Sequence, residues 1–255
     1  MAKGTALITG ASSGIGAELA ELCAAGGYDV VLVARQQAAL EKLASTLSQA
    51  HGVAARALVA DLAEPSAARM VFASASAVDI LINNAGFGLA GGYFETDWEA
   101  EARMIQVNIT ALAHLTKLYL PGMIARRSGR ILNVASTAAF VPGPFMAMYY
   151  ATKAFVFSFS LAIANELAGT GVTLTVLCPG PTRTNFFEAA GTADSSLVKG
   201  PTMSAAEVAR QGYDAMMAGK PEIIAGARNR WMIWGTRFAP RRMLAKFARR
   251  LNSPQ

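Results

Sequence analysis

Charged side chains are scarce in this chain: they make up 16% of its 255 residues, whereas 53% of the residues are hydrophobic. A globular domain usually carries about a quarter charged residues. Intrinsic disorder requires low hydrophobicity together with high net charge, and this composition does not have that combination. Length and composition therefore predict one folded domain that buries a large core.

Cysteine is nearly absent, and acidic residues are scarce in the last part of the chain. Cys23 and Cys178 lie far apart in apolar surroundings, which argues against a disulfide framework and predicts no metal site. From Lys220 onward there are nine basic residues and one acidic residue, Glu222. Residues 1–219 hold 14 basic and 16 acidic residues, so the positive net charge comes from the end of the chain.

No secretory or transit signal is recognisable before the first apolar segment, which predicts a cytoplasmic protein. The longest uncharged run, Ile131–Thr152, has 22 residues and is long enough to raise the question of a membrane span. Its Pro142, Gly143 and Pro144 would interrupt a helix that faces lipid. We therefore expect this run to form the buried centre of the fold.

Short apolar segments alternate along the chain with segments of helical periodicity. Strands are expected near residues 5–9, 30–34, 57–59, 80–82, 130–134, 172–178 and 223–224. Fully apolar strands that alternate with amphipathic helices are typical of a parallel sheet covered on both faces. The predicted fold is a single α/β domain over residues 1–226, a doubly wound Rossmann-like parallel sheet, followed by a basic amphipathic helical extension over residues 227–255.

A glycine-rich turn, Gly10-Ala11-Ser12-Ser13-Gly14-Ile15-Gly16, follows the first predicted strand. Glycines let backbone N–H groups approach a diphosphate at the start of a helix, where the helix dipole favours an anion. The spacing G-x-x-x-G-x-G differs from the common G-x-G-x-x-G of dinucleotide sites. By itself the turn is also compatible with a tight strand-to-helix connection that binds nothing.

Polar motifs also follow the later strands. They are Asp61-Leu62, Asn83-Asn84-Ala85-Gly86, Ser136, Tyr149-x-x-x-Lys153 and Pro179-Gly180-x-x-x-Thr184, with Asn108 inside a predicted helix. Each lies at or beside the C-terminal end of a strand, where open α/β sheets bind ligands. Over about residues 4–225, these ordered motifs resemble those of the short-chain dehydrogenase/reductase family.

The resemblance implies a nicotinamide dinucleotide cofactor and four catalytic residues, Asn108, Ser136, Tyr149 and Lys153. By the same resemblance, Ser136 holds the substrate oxygen, Lys153 also binds the nicotinamide ribose, and Asn108 breaks its helix locally and holds a water of a proton relay. Family members commonly form homodimers or homotetramers through the helices expected near residues 96–126 and 149–169. The predicted cofactor-binding residues are Gly10, Ser12, Ser13, Gly14, Ile15, Gly16, Arg35, Asp61, Leu62, Asn83, Ala85, Gly86, Tyr149, Lys153, Pro179, Gly180, Thr182 and Thr184.

Tyr149 and Lys153 are four residues apart and therefore share one face of a helix. A nearby ammonium lowers the pKa of a phenol, so Tyr149 is predicted to act as general acid in carbonyl reduction and as base in the reverse reaction. A Tyr-x-x-x-Lys pair alone is also typical of an exposed helix surface. Tyr150 is three residues from Lys153, so helix geometry allows either tyrosine, and the family spacing selects Tyr149.

The end of the second predicted strand indicates which cofactor is preferred. NAD enzymes usually carry an acidic residue there to bind the ribose hydroxyls, whereas this chain has Ala34 followed by Arg35. An arginine suits a 2′-phosphate by charge and by its paired donors, so NADP(H) is predicted over NAD(H). Many NADP-dependent relatives carry a second basic residue where this chain has Ser13. The alternative is that Arg35 only ends a strand in solvent.

The loops around the predicted tetrad are rich in apolar side chains, which indicates a hydrophobic ketone, aldehyde or secondary alcohol as substrate. These side chains are Phe87, Leu89, Phe140, Pro142, Phe145, Met146, Phe186 and Phe187. The alternative for several of them is ordinary core packing. Residues 185–203 resemble the substrate lid of the family.

Beyond residue 226 the family pattern no longer helps. Trp231, Trp234 and Phe238 have helical spacing, and an apolar stripe from Met243 to Leu251 lies opposite arginines and Lys246. Such a helix either packs over its own or a partner subunit, or attaches to a membrane surface as a peripheral contact. Nucleic-acid binding is not expected, because nothing else in the chain is basic enough to support it.

Together these patterns predict an NADP(H)-dependent oxidoreductase that interconverts a hydrophobic ketone or aldehyde and its alcohol, with Tyr149 as general acid/base. One alternative within the class is a 3-oxoacyl carrier-protein reductase, against which the long basic tail argues. Two further alternatives are a non-catalytic NADP(H)-binding sensor and a membrane-recruited interaction module. The first would be expected to lack part of the tetrad, and the second rests on the tail alone.

Overall fold

Parallel strands form the central sheet of this protein. The structure, a computed structural model, describes residues 2–191 and 202–253. The strands of the main sheet are β1 (Thr5–Thr9), β2 (Asp29–Ala34), β3 (Ala55–Val59), β4 (Ile80–Asn83), β5 (Gly129–Val134), β6 (Val172–Cys178) and β9 (Glu222–Ile224). Their order is β3-β2-β1-β4-β5-β6-β9, and every pair is parallel. Two short strands, β7 (Thr182–Arg183) and β8 (Met203–Ser204), pair separately.

Helices cover both faces of the sheet, as the apolar strands predicted. They are α1 (Gly14–Ala25), α2 (Gln37–His51), α3 (Ala67–Ser74), α4 (Trp98–Ile105), α5 (Leu112–Ala125), α6 (Ala147–Glu166), α7 (Phe186–Ala189), α8 (Ala205–Met217), α9 (Ala227–Thr236) and α10 (Arg241–Asn252). Successive strand residues point to opposite faces, so Ile8 packs in the core under α1, α2 and α8, whereas Leu7 packs in the core under α3 and α5. The doubly wound α/β fold is therefore confirmed.

The helical region expected near residues 96–126 is not one continuous α-helix. A π-helical segment, Gln106–Ala111, separates α4 from α5 and carries Asn108. In such a segment each backbone N–H bonds to the carbonyl oxygen five residues earlier, whereas the spacing in an α-helix is four. Segments of this kind are frequent at functional sites. The local break that the resemblance implied at Asn108 is thus present.

The uncharged run Ile131–Thr152 is divided among β5, a 3₁₀ helix (Thr137–Phe140), a turn and the first residues of α6. It is therefore not a membrane helix. Among the described residues, α6 is the one helix whose length and apolar composition would suit a membrane span. It packs against β6 and buries Tyr149 and Lys153, while Phe155 on its surface stays exposed.

The chain after residue 226 forms two helices that fold back onto the sheet domain. Helix α9 packs against the 3₁₀ helix, and it buries Ile233. Helix α10 is the predicted basic amphipathic helix, and it buries Ala248 and Asn252. The extension thus lies against the body of the protein and does not project from it.

Candidate active site

A cavity of about 810 Å³ lies at the carboxyl ends of the parallel strands, where their connecting loops meet. Because all strands of the main sheet run the same way, the motifs that follow them converge at this edge. Seventeen of the predicted site residues line the cavity: Gly10, Ser12, Ser13, Gly14, Ile15, Arg35, Asp61, Leu62, Ala85, Gly86, Ser136, Tyr149, Lys153, Pro179, Gly180, Thr182 and Thr184. Gly16, Asn83 and Asn108 are outside the lining.

The glycine turn brings the start of α1 against the end of β4. Gly10 has φ +66°, and a Cβ on it would lie 2.9 Å from the Cα of Ala85. A Cβ on Gly16 would overlap the carbonyl oxygen of Gly10, so Gly16 serves close helix packing below the cavity. The first turn of α1 has no acidic side chain, which leaves its backbone N–H groups and positive dipole end suited to an anion.

Asn84, which the sequence analysis did not select, ties this turn in place. Its Nδ2 donates to the carbonyl oxygens of Thr9 (3.0 Å) and Gly10 (3.1 Å), while the Thr9 hydroxyl accepts from the backbone N–H of Asn84 (3.0 Å). Asn84 lines the cavity. Asn83 instead donates to Thr116 and Asn133 inside the core, so its side chain supports the sheet. The only sequence signal for Asn84 was its place beside Asn83.

Ser136, Tyr149 and Lys153 meet at one side of the cavity. Ser136 caps the 3₁₀ helix by accepting from the N–H of Ala138 (3.1 Å), and its side chain lies beside Tyr149, where it opposes the rise in the pKa of that phenol. The Nζ of Lys153 lies 5.9 Å from the centre of the Tyr149 ring and donates to the carbonyl oxygen of Val134 (2.9 Å). The geometry gives one carbonyl-sized oxygen access to two hydroxyl groups beside a buried ammonium.

Burial controls the pKa values of this pair. It raises the pKa of Tyr149, against an opposing effect of the Ser136 hydrogen bond. Burial also lowers the pKa of Lys153 from 10.5 to about 8. From the sequence, the ammonium was expected to lower the pKa of the phenol, but in this structure the pKa of Tyr149 is raised. Loss of hydration penalises the charged forms of both groups.

Asn108 joins the cavity loop to the helix that carries Tyr149. Its Oδ1 accepts from the N–H of Phe87 (3.1 Å), and its Nδ2 donates to the carbonyl oxygen of Phe87 (2.9 Å) and to the hydroxyl of Thr152 (3.1 Å). Thr152 in turn donates to the carbonyl oxygen of Tyr149 (2.7 Å). The Asn108 side chain is buried behind the lining, so these contacts describe a positioning role.

At the opposite side of the cavity, Arg35 is exposed and follows Ala34 directly. Asp61 accepts a hydrogen bond from Arg103 of α4 at 3.0 Å, an ion pair that the sequence analysis missed. Arg103 lies 42 positions away and carries no local motif, so no sequence signal could have found it. Its contact fixes the Asp61 carboxylate against the cavity wall.

The apolar residues predicted for the substrate side fall into two groups. Phe87, Met146, Phe186 and Phe187 line the cavity, together with Tyr150. Phe140 instead packs on Phe157, and Leu89 supports the cavity loops from behind. Pro142 and Phe145 are also outside the lining. Residues 192–201 of the predicted lid lie outside the described residues.

Comparison with known proteins identifies relatives of this chain. A family profile described as short chain dehydrogenase matches residues 4–195. A very-long-chain 3-oxoacyl-CoA reductase of Laccaria bicolor is 36% identical over 175 residues, which is 66% of this chain and 52% of that protein. The chain thus spans about half the length of that relative. A 7beta-hydroxysteroid dehydrogenase of Collinsella aerofaciens is 34% identical over 180 residues, 70% of this chain and 68% of that protein.

Solved structures also resemble this one. A short-chain dehydrogenase from Sphingobium yanoikuyae, solved in complex with NADPH, superposes with a TM-score of 0.82 at 36% sequence identity. The match covers 92% of this chain and 93% of that one.

Proposed function

This chain belongs to the short-chain dehydrogenase/reductase family, and from that membership we propose that it is an NADP(H)-dependent oxidoreductase that interconverts a hydrophobic ketone or aldehyde and its alcohol. The observation that carries the proposal is the meeting of Ser136, Tyr149 and Lys153 at one side of the cavity whose other side holds the glycine turn. A proton donor and an anion-binding helix end therefore share one space. Reduction of a carbonyl group requires a bound hydride donor and a proton donor, and the helix end would bind the diphosphate of the first while Tyr149 is the second.

The lining suits a nicotinamide dinucleotide phosphate. The backbone N–H groups at the start of α1 would hold the diphosphate, and Gly10, which lacks a Cβ, lets the turn pack closely against Asn84 and Ala85. Arg35 would pair with the 2′-phosphate, since Ala34 offers no carboxylate to a free ribose hydroxyl. Lys153 would bind the nicotinamide ribose. When bound, the cofactor supplies or accepts the hydride.

The protein's own groups handle the proton and the oxygen. In the direction of reduction, the Tyr149 hydroxyl donates its proton to the carbonyl oxygen as that oxygen gains negative charge. Ser136 donates a hydrogen bond to the same oxygen and so holds it beside Tyr149. The Lys153 ammonium then stabilises the phenolate that remains, because it lies 5.9 Å from the ring in a buried environment. The raised pKa keeps Tyr149 protonated and ready to donate.

The residues on the substrate side of the cavity favour a hydrophobic carbonyl compound as substrate. Phe87, Met146, Phe186 and Phe187 form an apolar wall next to Tyr149, and no acidic side chain other than Asp61 is found among the described lining residues. The names of the two curated relatives describe enzymes that act on a long acyl chain and on a steroid. A 3-oxoacyl carrier-protein reductase remains the alternative substrate class within this chemistry.

The proposal is tested by NADPH consumption against a panel of ketones, aldehydes, diketones, 3-oxoacyl thioesters and oxosteroids. We expect turnover with bulky apolar carbonyls and none with the Tyr149→Phe variant as the matched blank. Turnover with no member of the panel, accompanied by tight NADPH binding, would favour a non-catalytic NADP(H) sensor. Turnover confined to acyl thioesters would favour the 3-oxoacyl reductase.

We further propose that the protein is cytoplasmic and forms a homodimer or homotetramer through α4, α5 and α6. These helices expose the large apolar side chains Trp98, Ile124 and Phe155, and Phe155 stacks on Phe159 at 5.6 Å. Exposed apolar faces of this kind are typical of subunit contacts. Light scattering of the full chain at micromolar concentration tests the proposal, and a monomeric mass would exclude it.

The tail supports a second proposal, a peripheral contact with an anionic membrane surface. Six of the 13 exposed large apolar side chains in the described residues lie between Trp231 and Phe247. All eight basic residues of 227–253 are exposed, and no ion pair within the described residues includes any of them. A two-fold contact between two such tails would bring like charges together, whereas an anionic bilayer attracts the arginines and accepts the aromatic rings.

Vesicle co-sedimentation tests this contact with the full chain. Wild-type protein should sediment with vesicles that contain anionic phosphatidylglycerol and not with phosphatidylcholine alone. The triple substitution Trp231→Ser, Trp234→Ser, Phe238→Ser should release it, while Phe94→Ser, which removes an even more exposed ring from another surface, should not. If the triple substitution changes only the oligomeric mass, the surface is a subunit contact.

A further inference from the structure

The end of α10 contacts the segment that precedes the predicted catalytic tyrosine. Asn252 is 3% exposed. Its Nδ2 donates to the carbonyl oxygen of Pro144 at 2.9 Å, and its Oδ1 accepts from the Tyr150 hydroxyl at 3.2 Å. Both ends of one amide are thus bound to residues more than 100 positions away. Next to this contact, the Arg249 guanidinium lies 5.1 Å from the centre of the Phe145 ring.

These contacts do not serve the end of the helix itself. The residue that caps the C-terminus of α10 is Ser253, whose backbone N–H and hydroxyl both donate to the carbonyl oxygen of Arg249. The Asn252 side chain makes no such local bond among the described contacts. It points from the tail to the body of the protein, where the Tyr150 hydroxyl is its donor and the Pro144 carbonyl oxygen is its acceptor.

The segment that Asn252 holds lies directly beside the substrate wall, because Met146, which follows the Pro144–Phe145 turn, lines the cavity. Tyr150 lines the cavity, and its ring lies against Gly143 so closely that a Cβ there would overlap it. Phe145 has φ +64°, a left-handed conformation that is unfavourable for an aromatic residue and must be stabilised by its surroundings. The carbonyl oxygen of Phe145 accepts from the N–H of Gly91 at 2.8 Å. A chain of contacts therefore runs from Asn252 through the Pro144–Phe145 turn to the loop at Gly91.

We propose that Asn252 is a positioning and specificity-determining residue: it fixes the Tyr150 ring and the Pro144–Phe145 turn, and so sets how bulky a carbonyl compound the cavity accepts beside Tyr149. The inference rests on the proposed function for the substrate class, but the contact itself does not depend on it. The cofactor side is distant, since the glycine turn and Arg35 contact neither α10 nor the turn at Phe145 in the described contacts. Through Asn252, the tail thereby stabilises the position of Tyr150 in the substrate wall.

Steady-state kinetics of Asn252 variants test the role. Asn252→Leu keeps the branched shape and removes both hydrogen bonds, whereas Asn252→Asp keeps an acceptor for Tyr150 but cannot donate to Pro144. We expect Asn252→Leu to change the ratio of kcat/KM for a bulky against a small carbonyl substrate about tenfold, mainly through KM. The Kd of NADPH should stay within about twofold, because the cofactor residues are not touched. Arg250→Gln, an exposed neighbour on the same helix, is the control.

A merely structural role predicts a different pattern: a lower Tm and an equal loss of kcat for both substrates, with KM and the selectivity ratio unchanged. That result would overturn the proposal. If Asn252→Leu does not fold, Asn252→Asp and Tyr150→Phe each remove one of the two bonds, and their double variant should change the ratio less than the two single effects combined.

Hydrogen exchange provides a readout that is independent of turnover. Amide exchange at Gly91 should accelerate in Asn252→Leu and remain at the wild-type rate in Arg250→Gln, because the Phe145 carbonyl loses its support. If wild-type protein reduces no carbonyl compound while exchange behaves in this way, the proposed function fails and the positioning contact stands. Unchanged exchange at Gly91 in Asn252→Leu overturns the positioning contact whatever the enzyme reduces.

Discussion

Tyr149 and Tyr150 are adjacent in the chain, yet their hydroxyl groups have different partners. The two rings are nearly perpendicular, with planes 79° apart and centres separated by 6.0 Å. The Tyr149 side chain lies beside Ser136, whereas the Tyr150 hydroxyl donates to Asn252. Helix geometry alone allowed either tyrosine to pair with Lys153. The tertiary contacts assign the hydroxyl beside Ser136 to Tyr149 and leave Tyr150 as a wall of the cavity.

The two tyrosines are therefore expected to respond differently to loss of the hydroxyl. Tyr149→Phe removes the proton donor, and kcat should fall about 10²- to 10⁴-fold. Tyr150→Phe keeps the ring and should retain most of the turnover on small substrates. Single-turnover reduction with saturating NADPH measures both. The assignment fails if Tyr150→Phe is the inactive variant.

Cofactor preference should depend on Arg35. We expect kcat/KM with NADPH to exceed that with NADH, and Arg35→Ala to reduce the difference about 10- to 100-fold, because a charge-assisted pair with the 2′-phosphate is lost. Arg69→Ala, a surface change outside the cavity lining, is the control. A preference that is the same in Arg35→Ala and wild type would assign the 2′-phosphate to another residue.

The decline of kcat/KM at alkaline pH should reflect deprotonation of Lys153. Burial lowers the pKa of this ammonium to about 8, so it is charged below that pH and neutral above it. The neutral amine no longer stabilises the Tyr149 phenolate, and kcat/KM for NADPH in the reductive direction should fall as the pH rises through about 8. Lys153→Arg keeps its charge throughout, so its slower reaction should lack this decline. A decline at the same pH in Lys153→Arg would belong to a different group.

Two helical glycines should respond in opposite directions to substitution by alanine. In Gly16→Ala the new Cβ overlaps the Gly10 carbonyl oxygen, so we expect a loss of about 1–3 kcal/mol of stability and weaker NADPH binding. In Gly235→Ala the Cβ meets no atom within 4 Å, and the exposed helix α9 should gain about 0.5–1 kcal/mol. Urea unfolding of the two variants measures both changes. Equal destabilisation would contradict the packing described for Gly16.

Much of the fold was predictable because its signals are local. Apolar strands such as Val172–Cys178 appear as continuous runs, and the predicted boundaries of that strand agree with the structure. The π-helical segment around Asn108 was not visible in the hydrophobic periodicity, since a single added residue per turn hardly changes the pattern over six residues.

The candidate site was predictable to a lesser extent. The glycine turn and Tyr149 with Lys153 are recognisable because a motif of short spacing on one strand or helix has one geometry wherever it occurs. Asn84 and Arg103 were missed, because their importance lies in what they contact: the Gly10 carbonyl oxygen for Asn84, and Asp61 for Arg103. These pairs are separated by tens of residues.

The sequence by itself thus determined the alternation of strands and helices, the parallel order that gathers the motifs at one edge, and the spacing of Tyr149 and Lys153. Only the tertiary structure decided the direction of their pKa shifts and the return of the tail, with Asn252, onto the substrate wall. The physical reason is one of range. Periodicity and motif spacing are visible within a few residues of sequence. The loss of hydration at Tyr149 and Lys153, and the contact of Asn252 with residues more than 100 positions away, arise only when the chain is packed.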